Sequence, residues 1–386
     1  MVELVRCGVA MREVARRLGV SLLTVQRWVE RAGEKRLERV DWTSRKTGAR
    51  RAPNRTSSEL ELMIVNSREM LRVSSDLGEF GAVAIREALI ASGTPTTPSI
   101  RTIGRVLARS GVLDRKVRVR RSPPPLGWYL PAVSEMRSEL DSFDTVTGLV
   151  IRGGVEVEVL NGTSLHGGLI TCWPSSAMTA AKVVEHLISH WKAFGCPGYA
   201  QFDNATIFQG PHQYQDVVGR VMRLCLQLGI VPVFAPPREP GFQASVESLN
   251  GRWQAKVWAR FEHASLTQLR ERSDRYVTAV RNRAVQRIER APRRLSFPDH
   301  FDLDLQAHPK GTIIFIRRAD PHGAVSVLGR LFSVSSQWPH RLVRTEVDLD
   351  LRRIRFFALR RSEPASQPLL IEHDYVLPRR RFRLRD

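Results

Sequence analysis

The sequence lacks several features that would assign it to a large class of proteins. No apolar run approaches the roughly 18 residues of a membrane span, and no signal-like hydrophobic segment begins the chain, so neither membrane binding nor secretion is predicted. The cysteines Cys7, Cys172, Cys196 and Cys225 form no C-x-x-C pair, which argues against a zinc module or a disulfide framework. The first histidine is His166, and no G-x-x-x-x-G-K-[ST] phosphate loop occurs.

What the sequence has in excess is positive charge. Its 386 residues, 42% hydrophobic, suffice for two to four folded domains. Lys and Arg total 60 against 39 acidic residues, a net charge of +21, and residues 1–125 hold 25 basic and 13 acidic groups, a net of +12. Nearly all the cations are arginine, whose planar fork suits phosphate. This surplus favours nucleic acid as partner, although a basic protein without such a partner is the alternative.

Residues 11–31 have the pattern of a helix-turn-helix. Apolar residues recur at helical spacing, Gly19 interrupts them, and Ser21 can cap a second helix. The alternative is a helical hairpin with a solvated polar face. The outward side chains of the capped helix able to reach bases or phosphates are Thr24, Gln26, Arg27 and Arg31.

A second unit repeats this pattern. An amphipathic helix over 82–93 ends at Gly93, and Ser99 can cap another helix over 100–111. Its arginines recur every four residues and form a basic stripe, namely Arg101, Arg105 and Arg109. A solvated charge run is the competing interpretation. The segment that follows combines proline with five cations suited to a phosphate backbone, namely Arg115, Lys116, Arg118, Arg120 and Arg121.

The pattern changes after residue 130. Alternating apolar residues predict strands over 139–151, 155–165 and 167–173, and a helix follows over 176–195, capped by Ser175 or Ser176. The remaining elements predicted for this region are a strand over 199–208, a helix over 213–228, a strand over 230–236 and a helix from about 244 to 261.

Three acidic residues stand where these elements should end, namely Asp141, Asp203 and Glu247. A carboxylate within a buried strand is costly unless it is paired or bound to metal. Oxygen ligands without His or Cys suit Mg²⁺ or Mn²⁺, and two such ions can activate the attacking oxygen and stabilise the leaving oxygen of a phosphodiester. Taken singly, Asp203 could be a turn residue and Glu247 a helix-start residue.

These motifs resemble the DDE transposases of the retroviral-integrase superfamily, specifically bacterial insertion-sequence transposases. The matching segments are E-L-D-S-F-D at Asp141, F-D-N-A-T-I-F at Asp203 and P-G-F-Q-A-S-V-E-S-L-N-G at Glu247. Asp144 competes with Asp141, because the two point to opposite faces of a strand. The resemblance favours Asp141. The interval between Asp203 and Glu247 holds 43 residues, more than is usual, and the surplus is predicted within 209–220.

The resemblance implies a multidomain fold, with N-terminal helix-turn-helix units, an α/β RNase H-like catalytic core and a C-terminal small β-barrel. Short strand patterns after Pro298 fit such a barrel. The predicted divisions are a first helix-turn-helix domain (1–46), a linker (47–57), a second helix-turn-helix domain (58–112), a basic Pro-rich linker (113–130), the catalytic core (131–298), the β-barrel (299–378) and a basic tail (379–386).

The function predicted is that of a DNA transposase with two Mg²⁺ ions, for which Mn²⁺ can substitute. Its partners would be double-stranded DNA at the transposon ends and target, and other copies in a dimer or tetramer on DNA. The protein would be cytoplasmic and nucleoid-associated. The basic residues that follow Glu247 at four-residue spacing are candidates to hold the DNA end, or else a solvated helix face, namely Arg252, Lys256 and Arg260.

Other functions remain open at this stage. One alternative is a domesticated transposase that binds DNA in a sequence-specific manner without catalysis, and another is a structure-specific nuclease that cuts without joining. The sequence also leaves open whether a separate target-selection ATPase assists.

Overall fold

The computed structural model describes five stretches of the chain, which are residues 1–43, 56–75, 80–113, 124–239 and 241–378. The chain divides into two compact units, residues 1–60 and residues 61–386. Among the described stretches, no helix has the length and hydrophobicity needed to cross a membrane.

The first unit is helical. Its helices are α1 (Val2–Arg6), α2 (Met11–Leu18) and α3 (Leu22–Ala32), followed by a 3₁₀ turn at Leu37–Arg39. Helix α2 ends because Gly19 adopts a left-handed φ of 62°, which glycine tolerates best. Ser21 caps α3 by accepting a hydrogen bond from the Thr24 amide at 3.1 Å. The predicted helix bounds and cap are therefore present, around a small core that contains Val14 and Val25.

The second unit begins with three helices, α4 (Ser58–Ser74, belonging to this unit from Glu61 onward), α5 (Ala82–Ala91) and α6 (Ile100–Arg109). Ser99 caps α6 by accepting from the Thr102 amide at 3.2 Å, as the sequence predicts. Residues Ile85 and Ile103 are completely buried. A helix pair of the predicted length is thus formed here too.

The rest of the second unit is built on one nine-stranded mixed sheet. Its strands, with the hairpin β7–β8 beside it, are β1 (Leu140–Ile151), β2 (Val155–Ser164), β3 (Ile170–Ser175), β4 (Tyr199–Phe202), β5 (Val231–Phe234), β6 (Thr312–Arg318), β7 (Ala324–Val327), β8 (Arg330–Ser333), β9 (Leu342–Asp348), β10 (Arg353–Leu359) and β11 (Leu369–Asp374). The strand order is β11-β10-β9-β6-β5-β4-β1-β2-β3.

The helices packed along this sheet complete an α/β core. They are α7 (Pro131–Ser134), α8 (Ala180–Phe194), α9 (Thr206–Gln209), α10 (Arg220–Gln227), α11 (Ala244–Trp253), a π-helical turn (Gln254–Trp258) and α12 (Leu266–Glu289). Strands β1, β2 and β3 are antiparallel, whereas β1, β4, β5 and β6 run parallel. A mixed sheet with helices of this kind fits the predicted RNase H-like core.

A row of aromatic side chains marks the centre of the core. Phe143, Phe202, Phe234 and Phe315 come from four neighbouring parallel strands, and successive rings lie 5.6, 6.1 and 5.1 Å apart. All four are fully buried, or 1% exposed at most. Each phenylalanine stands at or near the carboxyl end of its parallel run, so the residues that follow emerge together at one edge of the sheet. We call this the carboxyl edge.

The C-terminal strands differ from the predicted separate β-barrel. Strand β6 pairs in parallel with β5, and β9, β10 and β11 follow it in the same sheet. Apolar side chains of both regions form one core, which joins Leu224 and Phe234 to Phe315, Val343 and Phe356. The boundary predicted at residue 298 therefore does not separate two hydrophobic cores. The apolar strands after it extend the existing sheet and are buried in the same core.

Smaller differences concern helix starts. Helix α8 is capped by Thr179, whereas Ser175, one of the two predicted caps, lies in β3. The helix predicted from residue 213 begins only at Arg220, so the surplus residues form a loop over 210–219. Asp216 attaches this loop to the C-terminal strands, since its carboxylate pairs with Arg330 and accepts from the Tyr375 hydroxyl at 2.8 Å.

Candidate active site at the carboxyl edge

Asp141, the predicted first metal ligand, is held in a buried ion pair. Its two carboxylate oxygens accept hydrogen bonds from the Arg294 guanidinium at 2.9 and 2.5 Å, and Trp191 Nε1 donates at 3.2 Å. Burial alone would raise the pKa of Asp141, but Arg294 and His190 outweigh it and hold the pKa below its usual range. The Asp141 side chain is only 1% exposed, and both of its oxygens are bonded to Arg294. Asp141 is therefore engaged in a structural ion pair instead of being available to a metal ion.

Asp144 occupies the position beside the second carboxylate. Strand β1 pairs with β4 in parallel up to Ser142 opposite Gln201. Two further residues in this register bring Asp144 level with Asp203, and the stacking of Phe143 on Phe202 shows that the alignment continues. Because neighbouring strand residues alternate between faces, Asp144 and Asp141 lie on opposite faces. Asp144, and not Asp141, therefore lies beside Asp203 at the carboxyl edge.

The charges of Asp144, Asp203 and Glu247 act on one another. Burial raises the pKa of Asp144, and the nearby negative charges of Asp203 and Glu247 raise it further. Burial also raises the pKa of Asp203. Raised pKa values beside like charges are typical of carboxylates assembled for a functional reason instead of for stability. We refer to these three residues as the acidic cluster.

Asn250 fixes the helix that carries Glu247. Its Nδ2 donates to Asp144 Oδ2 at 2.7 Å, and its Oδ1 accepts from Asn161 Nδ2 at 2.8 Å. The side chain thus connects α11 to both β1 and β2. Glu247 lies three residues earlier, on the same face of α11, so this contact orients Glu247 toward the same edge of the sheet.

The donor chemistry of the acidic cluster fits a hard divalent cation. All three side chains offer carboxylate oxygens, which Mg²⁺ and Mn²⁺ prefer, and a bound cation would offset the repulsion that raises the pKa of Asp144. As the side chains stand, no three His, Cys, Asp or Glu residues within the described ranges are grouped closely enough to hold an ion. Glu247 is exposed on the first turn of α11, so its side chain has room to turn toward the aspartates.

A large cleft lies beside α11, the helix that carries Glu247, on the side of β2. It has a volume of about 1180 Å³, and no acidic residue lines it. The lining cations come from α11, the turn after it and α12, and we call the cavity the cationic cleft. They are Arg252, Lys256, Arg260, Arg272, Arg275, Arg283 and Arg287.

The sequence interpretation found only part of this cleft. Arg252, Lys256 and Arg260 are exposed there as predicted for a basic helix face. The contribution of α12 was missed, although Arg275, Arg283 and Arg287 keep a multiple of four residues and therefore share one helix face. Arg287 is further fixed because its guanidinium donates to the carbonyls of Leu165 and His166.

The predicted DNA-reading side chains of α3 differ in availability. Gln26 and Arg27 are exposed. The Thr24 hydroxyl lies 2.8 Å from the Ser21 hydroxyl, and Arg31 pairs with Asp41 at 3.2 Å while stacking on Trp28.

The predicted DNA-reading arginines of the second helix pair are all exposed on α6. Arg101 and Arg105 make no ion pair within the described residues, whereas Arg109 pairs with Glu61 at 2.5 Å. The five predicted cations of the Pro-rich linker, Arg115, Lys116, Arg118, Arg120 and Arg121, lie outside the described residues, as does the basic tail over 379–386.

Comparisons with known proteins give similarity only at the level of solved structures. No family model matches the chain, and no curated protein matches it. A chain of the simian T-cell lymphotropic virus intasome, solved in complex with the PP2A regulatory subunit B56 gamma, is 12% identical, with 67% of this chain and 84% of that chain covered and a TM-score of 0.32.

Two retroviral integrase catalytic cores are also similar. The core domain of BIV integrase is 18% identical, with 34% of this chain and 77% of that chain covered and a TM-score of 0.26. The core domain of HTLV-2 integrase, solved as a dimer with magnesium, is 12% identical, with 38% of this chain and 82% of that chain covered and a TM-score of 0.25.

Proposed function

We propose that this chain is a DDE-type DNA transposase. It would bind the terminal inverted repeats of a mobile element, cleave the DNA to free a 3′ end, and join that end to target DNA. The observation that carries this proposal is the register that brings Asp144 level with Asp203, with Glu247 on α11 and a cleft lined by seven cations beside that helix. Carboxylates that repel one another next to a phosphate-binding surface suit phosphodiester chemistry.

In this mechanism the acidic cluster would hold two Mg²⁺ ions. Bound there, divalent cations activate the attacking oxygen and stabilise the leaving oxygen of an in-line displacement at phosphorus. Asn250 orients Asp144 by donating to its Oδ2, and the Thr145 amide donates to its Oδ1 at 2.9 Å, so a cation would bind the remaining lone pairs of these oxygens. Asp141 takes part only indirectly, because its pair with Arg294 fixes the start of β1.

The cationic cleft would bind the DNA backbone next to the acidic cluster. Its arginines can make bidentate contacts with phosphate oxygens, and neutralising those phosphates releases counterions. The exposed side chains of α3 and α6, above all Gln26, Arg27, Arg101 and Arg105, would read the terminal repeats. Because two ends are joined, at least two copies of the chain would act together on the DNA.

A cleavage and joining assay with Glu247→Gln tests this function. Duplex carrying the inverted repeats that flank the gene is incubated with a supercoiled plasmid and Mg²⁺. The wild-type protein is expected to nick the ends and join them to the plasmid, and Glu247→Gln should retain DNA binding and lose both reactions. Undiminished joining by Glu247→Gln would contradict the proposal. Binding by the wild type without any reaction would indicate the non-catalytic alternative, and cutting without joining would indicate a nuclease.

The cationic cleft gives a second expectation. Replacing Arg275 and Arg283 by alanine removes two exposed cations from α12, so the slope of log affinity against log salt should fall by about 2. Duplex affinity at low salt should fall by about tenfold or more. Titrations at several salt concentrations measure both quantities. The matched control replaces Arg290 and Arg293, which are exposed but do not line the cleft, and an equal loss in that control would contradict the role of the cleft.

A further inference from the structure

A second cleft opens at the carboxyl edge, on the side of β5 and β6. Its volume is about 470 Å³, and it lies between the 210–219 loop, the end of β6 and the turn of the β7–β8 hairpin. The residues that matter for its chemistry are Asn204, Gln209, His212 and Arg317. We call it the Arg317 cleft. The anchoring of the loop through Asp216 to Arg330 keeps its outer wall in place.

Arg317 is a half-buried cation without a carboxylate partner among the described residues. One of its terminal nitrogens, Nη1, donates to the carbonyl of Ile316 at 2.9 Å and reaches that of Ala235 at 3.4 Å, and its guanidinium lies over the Phe315 ring. No carboxylate within the described stretches of the chain pairs with it. Two carboxylates of the neighbouring segments are engaged elsewhere, since Glu239 pairs with Arg318 and Asp216 pairs with Arg330.

Burial without a partner is unfavourable for this side chain. It lowers the pKa of Arg317 to about 10, so the guanidinium stays protonated at neutral pH and its charge is uncompensated. The neighbouring Arg344 on β9 shows the usual arrangement, because it is buried and paired with Glu346 at 2.9 Å. A half-buried arginine that has no carboxylate partner and lines an open cleft is suited to bind an anionic ligand.

The cleft lies beside the second residue of the acidic cluster. The Ala235 carbonyl accepts from Asn204 Nδ2 at 2.7 Å and is the same carbonyl that Arg317 reaches. Asn204 directly follows Asp203. Two strand spacings, about 10 Å in total, separate β4 from β6, so the cleft lies within a few nucleotides of Asp203 along a DNA strand.

The strand order places the two clefts on opposite sides of the acidic cluster. The cationic cleft lies at β2 and α11, Asp144 and Asp203 belong to β1 and the end of β4, and the Arg317 cleft lies at β5 and β6. A DNA strand held in the cationic cleft and passing the acidic cluster therefore continues toward Arg317.

We infer that the Arg317 cleft binds a phosphodiester of the DNA strand that continues past the acidic cluster, within a few nucleotides of the reacting phosphate. This inference rests on the proposed function. Arg317 supplies the charge, and the side-chain amide of Gln209 and the ring of His212 line the same cavity with further polar groups. The site is composed of the surplus loop over 210–219 and of the C-terminal strands, and it extends the DNA path away from the cationic cleft.

The first test uses Arg317→Met in the full-length protein. Methionine keeps the unbranched apolar stem and removes the charge, so the variant should unfold at the same temperature as the wild type or above it. Inorganic phosphate, exchanged for chloride at constant ionic strength, should raise the unfolding temperature of the wild type and not that of Arg317→Met. The matched control Arg344→Met removes one of the two arginines that pair with Glu346 and leaves Arg355 at 3.3 Å as the other, so it should unfold at a lower temperature and keep the phosphate response.

The second test measures DNA affinity in EDTA, where no cleavage can occur. The probe is a fluorescent duplex of about 30 base pairs with a three-nucleotide single-stranded extension. Arg317→Met should bind it about five- to tenfold more weakly, with a salt slope lower by about 1, and Arg317→Lys should retain most of the affinity. Every variant keeps the N-terminal helices, so a difference reports on the cleft.

Unchanged DNA affinity and salt slope in Arg317→Met would overturn the inference. If only the phosphate response were lost, the cleft would bind free anions and not DNA. If the variant unfolded well below the wild type with DNA binding intact, Arg317 would be structural. Because these measurements need no metal and no reaction, they remain decisive even if Glu247→Gln proves fully active and the proposed function fails.

Discussion

Asp144→Asn is expected to abolish metal-dependent cleavage and joining, by about 10³-fold or more, without loss of folding stability. Removing one carboxylate from a two-cation site forfeits several kcal/mol of transition-state stabilisation, and about 4 kcal/mol corresponds to 10³ in rate. The asparagine oxygen can still accept the hydrogen bond from Asn250 Nδ2, which preserves the attachment of α11 to β1, and only the local hydrogen bond from the Thr145 amide to the other oxygen is lost.

The expected stability of Asp144→Asn follows from the direction in which the pKa of Asp144 is shifted. The pKa of Asp144 is raised in the folded protein, so the folded state binds its proton more tightly than the unfolded state does. Stability therefore falls as the pH rises from the unfolded pKa through the folded one, and the penalty is present in full at neutral pH. An uncharged asparagine at position 144 removes this penalty. Urea unfolding at neutral pH should give a midpoint at or above that of the wild type.

The assay for Asp144→Asn needs DNA binding as its internal control. Retained affinity for the end duplex, with reaction products absent in Mg²⁺ and in Mn²⁺, is the expected combination. If Asp144→Asn joined DNA at the wild-type rate, Asp144 would not belong to the reacting site, and the acidic cluster would lose the residue that connects β1 to it.

Asp141→Asn is expected to show the opposite behaviour, a loss of about 3–5 kcal/mol in the free energy of unfolding. The substitution leaves Arg294 without a counter-charge where only 14% of its side chain is exposed. Arg294 belongs to the segment that bridges Cys196 through Leu295, so the loss should also loosen the attachment of that segment to the core. Urea unfolding of both proteins at neutral pH measures the difference.

The pH dependence of this loss identifies the ion pair as its cause. The pKa of Asp141 is lowered in the folded state, so the pair contributes fully above the unfolded pKa of about 4, and its contribution declines as the pH falls toward the folded pKa. Wild type and Asp141→Asn should therefore converge in stability in acid. Replacing both partners, as Asp141→Leu with Arg294→Met, should recover most of the stability. An Asp141→Asn protein that is fully stable yet inactive would restore the role predicted from the sequence.

The contrast between these aspartates shows where sequence reasoning stopped. The spacing of Asp141 and Asp144 correctly indicates that the two side chains lie on opposite faces of β1. The choice between them depends on Arg294, which is 153 residues away from Asp141 and carries no local signal of that contact. Asn250, by contrast, was identifiable from its place on the Glu247 face of α11.

Local patterns predicted the individual elements better than their assembly. Alternation gave strands β1 and β2 almost to the residue, and Ser21 and Ser99 cap the helices that they were predicted to cap. The C-terminal strands were also visible in the sequence, but alternation does not reveal which neighbour a strand pairs with. Strand pairing across about 80 residues, from β5 to β6, was decided by the shared apolar core around Phe234 and Phe315.

The continuity of that sheet limits how the molecule can be divided. A fragment that ended near residue 298 would leave the edge of β5 that faces β6 unpaired and would expose the face of Phe234 that Phe315 now covers. Such a fragment would expose an unpaired strand edge with apolar side chains and would tend to associate with other chains. Cutting the chain into separately expressed catalytic and C-terminal pieces is thus the wrong strategy for this protein, and the whole segment from β1 to β11 should be handled as one piece.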